Sequence, residues 1–278
     1  MPRLGNLATR ILVAVIAVPL LILLLYQDLH ELVWVAVFIA SLLTMYELFA
    51  MTLADRRDRF AALAIGALAA AGFYWLPARW SPHVTAFVFA FTAPALYYLF
   101  RPGDIATAAE RLAYSTVGIL YGGLSFAFLA MLKRDFGPVG ADAIVLVLAT
   151  AWLSDTGGYF AGKFLGRRKL YPAVSPNKTW AGAIGGMLAA VAGGFVIERW
   201  RMRGLAVVDV VVLAGVGSIL GQLGDLVESL LKRSRGVKDS GDILPGHGGL
   251  LDRVDAVLFI APWFYLYLLA VARMGVPH

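Results

Sequence analysis

Nine runs of mostly apolar residues, separated by short polar connections, occupy this 278-residue chain almost end to end. They fall at about 11–26, 32–51, 60–76, 83–100, 112–132, 141–161, 181–198, 206–231 and 255–273. Each is close to the roughly 20 residues with which an α-helix crosses a hydrocarbon layer about 30 Å thick. In lipid the backbone must satisfy its own polar groups, which leaves helices or closed barrels. Long unbroken apolar runs select helices. The expected fold is therefore all-α, a polytopic transmembrane protein with about nine membrane-spanning helices. Charged residues make up only 15% of the chain, too few to coat a soluble domain of this length. The first run, Ile11 to Tyr26, follows Arg3 and Arg10 with no small-residue cleavage site after it, so it reads as a retained span.

The chain has no cysteine, which excludes disulfides, thiolate metal sites and cysteine nucleophiles. Its net charge of +6 does not indicate nucleic acid, because the lysines and arginines sit in short connections between apolar runs. With the N-terminus cytoplasmic, 17 of the 24 lysines and arginines fall on the inner side. That bias predicts an N-in, C-out protein, expected in a bacterial inner membrane, although Arg199, Arg201 and Arg203 lie on the other side. Two long polar loops, 162–180 and 232–255, then face the cytoplasm, where nucleotides are. No internal repeat is visible, and residues 1–278 are expected to form a single membrane domain. Residues 1–140 read as mainly structural spans, and 141–278 as the half that carries chemistry.

The most polar stretch runs from Asp225 to Asp255, where 11 of 31 residues are charged. Asp225, Glu228, Ser229 and Lys232 recur at helical spacing on one face at the end of the eighth run. Asp252 and Asp255 are three apart at the start of the ninth. If these two helices pack together, Asp225, Asp252 and Asp255 converge as oxygen ligands of the kind magnesium takes, with positions left for phosphate oxygens. Between them Pro245-Gly-His-Gly-Gly249 makes a turn whose amides can approach a phosphate closely. Lys232, Arg233, Lys238 and Arg253 are cationic partners for a polyphosphate or lipid headgroup.

A second polar stretch runs from Ser154 to Trp180. Asp155 lies near the end of an apolar run, and Ser175-Pro-Asn-Lys-Thr179 brings hydroxyls and Lys178 to a helix start. Such a start binds anions, and it is equally a capped N-terminus with a topology-setting basic loop. Glu47, inside the second run, is an intramembrane carboxylate. It either serves function or is met by a hydrogen bond from a neighbouring helix.

The pattern Ser229-x-x-Lys232-Arg233-x4-Lys238-Asp239, continued by Pro245-x-His247-Gly248-Gly249-x-x-Asp252-Arg253-x-Asp255, resembles the signature of the phosphatidate cytidylyltransferases, or CDP-diacylglycerol synthases. Ser154-Asp-Thr-Gly-Gly-Tyr-Phe160, Ser175-Pro-Asn-Lys-Thr-Trp180 and Tyr46-Glu-Leu-Phe49 are similar to other segments of that family. The resemblance departs at Ala181, where many bacterial members carry Glu. It implies transfer of CMP from CTP to phosphatidate, with release of pyrophosphate, for phospholipid biosynthesis. It also implies a requirement for magnesium, room for a second metal ion, and a homodimer. Metal roles are implied for Asp225 and Asp252, with Asp255 and Asp239 close by. Asp225, Asp252 and Lys238 are the expected catalytic residues. Ser175, Lys178, Ser229, Lys232, Arg233, His247, Gly248, Gly249 and Arg253 are the expected substrate-binding residues. A CTP-dependent lipid kinase would release CDP instead. A transporter would show paired polar breaks in inverted halves, whereas here the polar stretches crowd into the C-terminal half.

Overall fold

The computed structural model describes residues 15, 18–202, 205–241, 243 and 248–273. Helix α1 is described over residues 18–25, so part of the expected first span lies outside the described residues. After it come α2 (His30–Thr52), α3 (Arg56–Trp75), a 3-10 turn (Ala78–Trp80) and α4 (Pro82–Phe100). Helix α5 (Ile105–Gly118) continues through a π-helical turn (Ile119–Leu124) into α6 (Ser125–Leu165). Next is a hairpin of β1 (Lys169–Tyr171) and β2 (Ser175–Thr179), and then α7 (Trp180–Trp200), α8 (Val207–Ser234) and α9 (Leu251–Arg273).

Among the described residues, six helical stretches are long and apolar enough to cross a membrane. They are His30–Thr52, Pro82–Phe100, Ile105–Leu165, Trp180–Trp200, Val207–Ser234 and Leu251–Ala272. This is an integral membrane protein, all-α apart from the hairpin among the described residues. The expected count of nine differs from these six at three places. Helix α1 is only partly described. Helix α3 opens on Arg56, Arg57, Asp58 and Arg59 and continues in small residues, which dilutes its hydropathy. The expected spans 112–132 and 141–161 form one helical stretch of 61 residues. Its interior non-helical residue in α6 is Gly137, at φ 56 and ψ −126, followed by Pro138. Proline removes an N–H and pushes the preceding residue off the helical region, and glycine accepts the positive φ.

The chain forms two compact units. The first takes in the residues up to Ala130 together with Asp239–Arg253. Its core is built on α2, whose Met45, Leu48 and Phe49 are fully buried with Phe73, Ile119 and Leu124. At the π-helical turn, Ser41 Oγ donates to the Gly122 carbonyl at 2.9 Å, giving an acceptor a partner where the regular ladder is disturbed. Gly122 lets the turn close on α2, since a Cβ there would sit 3.0 Å from Met45 Cγ.

A buried ion pair crosses this unit. Asp58, 2% exposed, accepts from Arg111 Nη1 at 2.9 Å and from the Tyr97 hydroxyl at 3.0 Å. Arg111 also donates to the carbonyls of Asp104, at 2.8 Å, and Pro102. One carboxylate thus ties α3 to α4 and α5. The caps of α3 and α5 flank the same knot, with Asp55 accepting from Arg57 N at 2.7 Å and Asp104 from Ala106 N at 3.0 Å.

The second unit comprises Met131–Lys238 and the chain from Val254 onward. Leu146, Val147, Val210, Leu213, Ile260 and Phe264 are its fully buried core. Helices α6 and α7 approach through Gly157, Gly158 and Gly162 on one and Gly182, Gly185 and Gly186 on the other. A Cβ on Gly157 would lie 2.8 Å from the Gly185 carbonyl oxygen, and one on Gly186 2.6 Å from that of Ser154. Small residues of this kind let helix backbones touch in a membrane, where no hydrophobic effect drives helices together.

Removing one member of a buried ion pair strands the other. Asp58→Ala should therefore destabilise the detergent-solubilised protein by about 3 kcal/mol or more, seen as a lower denaturation midpoint. An unchanged midpoint would refute the role given to this pair.

Candidate active site

In the second unit the hairpin delivers a lysine to α8. Strands β1 and β2 are antiparallel, with Lys169 opposite Thr179 and Tyr171 opposite Ser175. Thr179 ends β2 and caps α7, its Oγ1 accepting from Gly182 N at 3.1 Å. One residue earlier, Lys178 Nζ meets Asp225 Oδ2 at 2.7 Å. Ser229, one turn along α8, donates to Asp225 Oδ1 at 3.3 Å. Glu228, 1% exposed, pairs through Oε2 with Lys232 Nζ at 2.6 Å. Asp225, Glu228 and Asp255 each offer one carboxylate oxygen, and these three atoms lie within 4.8 Å of one another.

This donor set suits a hard divalent cation. An octahedral magnesium shell with Mg–O near 2.1 Å places its oxygens roughly 3–4.2 Å apart, close to what the three carboxylates present. Asp225, Glu228 and Asp255 would hold the ion, with Lys178 and Lys232 flanking them as cations able to meet phosphate oxygens.

A cavity of about 480 Å³ opens beside these groups, lined by Asp155, Gly158, Asn177, Lys178, Gln222 and Asp225 among others. A second, apolar recess of about 450 Å³ lies between Trp180, Ile184 and Met187 on α7 and Ile219, Leu223 and Leu226 on α8. Leu170, Ala183 and Gln222 line both. Gln222 is fixed by donating from Nε2 to the Ala183 carbonyl at 3.1 Å and to Ser218 Oγ at 3.2 Å. Ser218 Oγ in turn lies 2.8 Å from Ser154 Oγ.

The glycine-rich loop belongs to the first unit and is organised around two carboxylates. Asp252 Oδ2 accepts from Ser240 N and Gly249 N, both at 3.1 Å. Gly248, at φ 79, makes the turn that brings Gly249 round. Glu47 accepts from Leu250 N at 2.9 Å, Leu251 N at 2.8 Å and Ser240 Oγ at 3.2 Å.

The structure brings Asp225, Asp255, Lys178, Ser229 and Lys232 together, in the second unit. Asp252, in the first unit, accepts from the Ser240 and Gly249 amides of its own loop. Lys238 and Asp239 are exposed at the bend after α8, and Arg253 is exposed at the start of α9. Arg233 is exposed too, its Nη1 donating to the Val237 carbonyl at 3.0 Å. Ser175 is partly buried at the start of β2. His247 lies outside the described residues. Glu228 was not among the expected site residues. Its signal in the sequence was its place on the Asp225 face of α8, with Lys232 four residues on.

Residues 8–271 match the model of a family described as the cytidylyltransferase family. The chain belongs to that family. A phosphatidate cytidylyltransferase of Brucella suis is 46% identical to it over 164 residues, covering 59% of this chain and 60% of the relative. One from Bacillus subtilis is 40% identical over 159 residues, covering 57% and 59%. One from Staphylococcus saprophyticus is 38% identical over 159 residues, covering 57% and 60%. The matches thus span about 60% of the length of these relatives.

For this member of the cytidylyltransferase family, a carboxylate-held cation gives a direct test. Titration of magnesium into the reconstituted protein by calorimetry should show affinity lowered at least about tenfold in Asp225→Asn and in Glu228→Gln. Equal affinity in both variants and the parent would dissolve the cluster as a cation site.

Proposed function

We propose that this chain is a phosphatidate cytidylyltransferase, transferring CMP from CTP to phosphatidate to give CDP-diacylglycerol and pyrophosphate. The observation that carries this is the pairing of a polar cavity, holding Lys178 and Asp225, with an apolar recess that shares its walls. A substrate suited to both has a charged headgroup and a hydrocarbon tail. The names of the relatives point to the same lipid phosphate.

In the proposed reaction an oxygen of the lipid phosphate attacks the α-phosphorus of CTP in line, and the bond to the bridging oxygen of pyrophosphate breaks. A phosphomonoester at neutral pH is already largely a dianion, so no strong general base is needed. Positioning and charge neutralisation carry the rate. Lys178 sits in the cavity on the headgroup side, and Lys232 flanks the same carboxylates; their ammonium groups would meet phosphate oxygens. Magnesium held by Asp225, Glu228 and Asp255 would supply Lewis-acid neutralisation of the polyphosphate. A metal role for Asp252 and Asp239, and phosphate-binding roles for Lys238, Arg233, Arg253, Ser175, His247, Gly248 and Gly249, remain part of the proposal. The topology goes with it: nine crossings, the N-terminus and both polar loops cytoplasmic, the C-terminus outside, and a homodimer in the membrane.

Purified protein given CTP, magnesium and phosphatidate should form CDP-diacylglycerol and release pyrophosphate. Release of CDP would point instead to a lipid kinase. Asp225→Asn should lower turnover by about a hundredfold or more with the fold intact, as loss of a charge-stabilising group does elsewhere. Turnover within a few-fold of the parent would remove Asp225 from the mechanism.

A further inference from the structure

The carboxylate of Glu47 lies in α2, far in sequence from the glycine loop, and yet the loop is built around it. It is 2% exposed. Oε1 accepts from the Leu250 amide at 2.9 Å; Oε2 accepts from the Leu251 amide at 2.8 Å and the Ser240 hydroxyl at 3.2 Å. These donors come from both ends of the loop, so one side chain draws the two ends together. Asp252 joins the same two ends from the other side, accepting from the Ser240 and Gly249 amides.

The loop's glycines fit this arrangement. A Cβ on Gly249 would lie 2.7 Å from Glu47 Oε2 and would collide with Ser240 Oγ. A Cβ on Gly241 would lie 3.1 Å from Glu47 Oε1. Both positions leave room for the carboxylate and for nothing larger. Leu251 is the first residue of α9, so its amide is one of the N-terminal donors that a helix cannot satisfy internally. Glu47 fills that need from a different helix.

We propose that Glu47 is the positioning residue of the glycine loop, fixing its two described ends, at Ser240 and at Leu250–Leu251, and through them the orientation of Asp252. Glu47 touches no substrate on this account. It acts through the loop amides, which it holds in one arrangement. The inference rests on the proposed cytidylyltransferase activity for its kinetic consequence, but its structural consequence stands apart from that activity.

The test uses the full-length protein in lipid nanodiscs with two readouts, amide hydrogen exchange by mass spectrometry and turnover of CTP with phosphatidate. Glutamine keeps the shape of Glu47 but exchanges one acceptor for a donor that faces an N–H. In Glu47→Gln, exchange over 240–251 should speed up at least about tenfold while α3 and α4 stay protected. Turnover per folded molecule should fall about tenfold, with the KM for CTP changing less than kcat. Ser240→Ala removes a single donor to the same carboxylate and should give a smaller change of the same kind, about threefold. It decides the matter if the glutamine variant does not fold. Unchanged exchange over 240–251 would overturn the positioning role whatever the turnover does. Accelerated exchange with unchanged turnover would overturn it as well, by separating the loop's order from catalysis. Absence of cytidylyl transfer in the parent protein would sink the proposed function and leave the exchange readout to judge Glu47 alone.

Discussion

An ionisable side chain inside a helical membrane protein has little water to turn to, so its place is set by whichever donors or cations reach it. Asp58, Glu47 and Glu228 are each no more than 2% exposed, and each is met in a different way. Asp58 takes a guanidinium and a tyrosine hydroxyl, and so holds three helices of the first unit together. Glu47 takes backbone amides and a serine, and so shapes a loop. Glu228 takes a lysine from its own helix and stands beside two further carboxylates. The demand for a partner is the same in all three. What the partner is decides whether the result is a brace, a cradle or a cluster of carboxylates.

This demand also separates the two polar regions of the molecule chemically. In the second unit two carboxylates of the cluster are met by ammonium groups on long side chains, Lys178 on Asp225 and Lys232 on Glu228, which can swing without moving a backbone. In the first unit Glu47 and Asp252 are met by main-chain amides, which cannot leave without undoing the loop. The lysine-paired region is suited to receive a ligand and the amide-paired region to hold a shape.

The helices were legible because an apolar run of about 20 residues in this composition has few other ways to fold. The expected spans 112–132 and 141–161 leave a gap that contains Gly137, but the structure runs them together as one helical stretch. That helix continues on both sides of a single glycine is a matter of backbone detail that hydropathy does not carry. The hairpin was read as plain loop, since three- and five-residue strands leave no periodic signal. Asp225, Asp255 and Lys178 could be singled out because charge is rare and clustered here. Glu228 is visible on the Asp225 face, but a Glu and a Lys four apart on a helix also fit an ordinary solvent-facing pair, so spacing alone does not mark it as a site residue. Glu47 was noticed as an anomaly, but its partners lie 193 to 204 residues away, beyond any spacing rule.

Helices α6 and α7 meet glycine to glycine, so the wall of the polar cavity at Gly158, Gly162 and Gly182 is main chain. Such a wall is hard to recut by substitution: a Cβ on Gly182 would lie 2.9 Å from the Gly158 carbonyl oxygen on the facing helix, and one on Gly158 3.3 Å from that of Gly182. The opposite side of the apolar recess is made of Ile219, Leu223 and Leu226, whose side chains can lengthen or shorten without moving a backbone. Change in the shape of the recess is therefore channelled to α8, and the glycine-lined part of the polar cavity is less free to vary. Two neighbouring chambers that share a glutamine thus differ in how freely mutation can explore them.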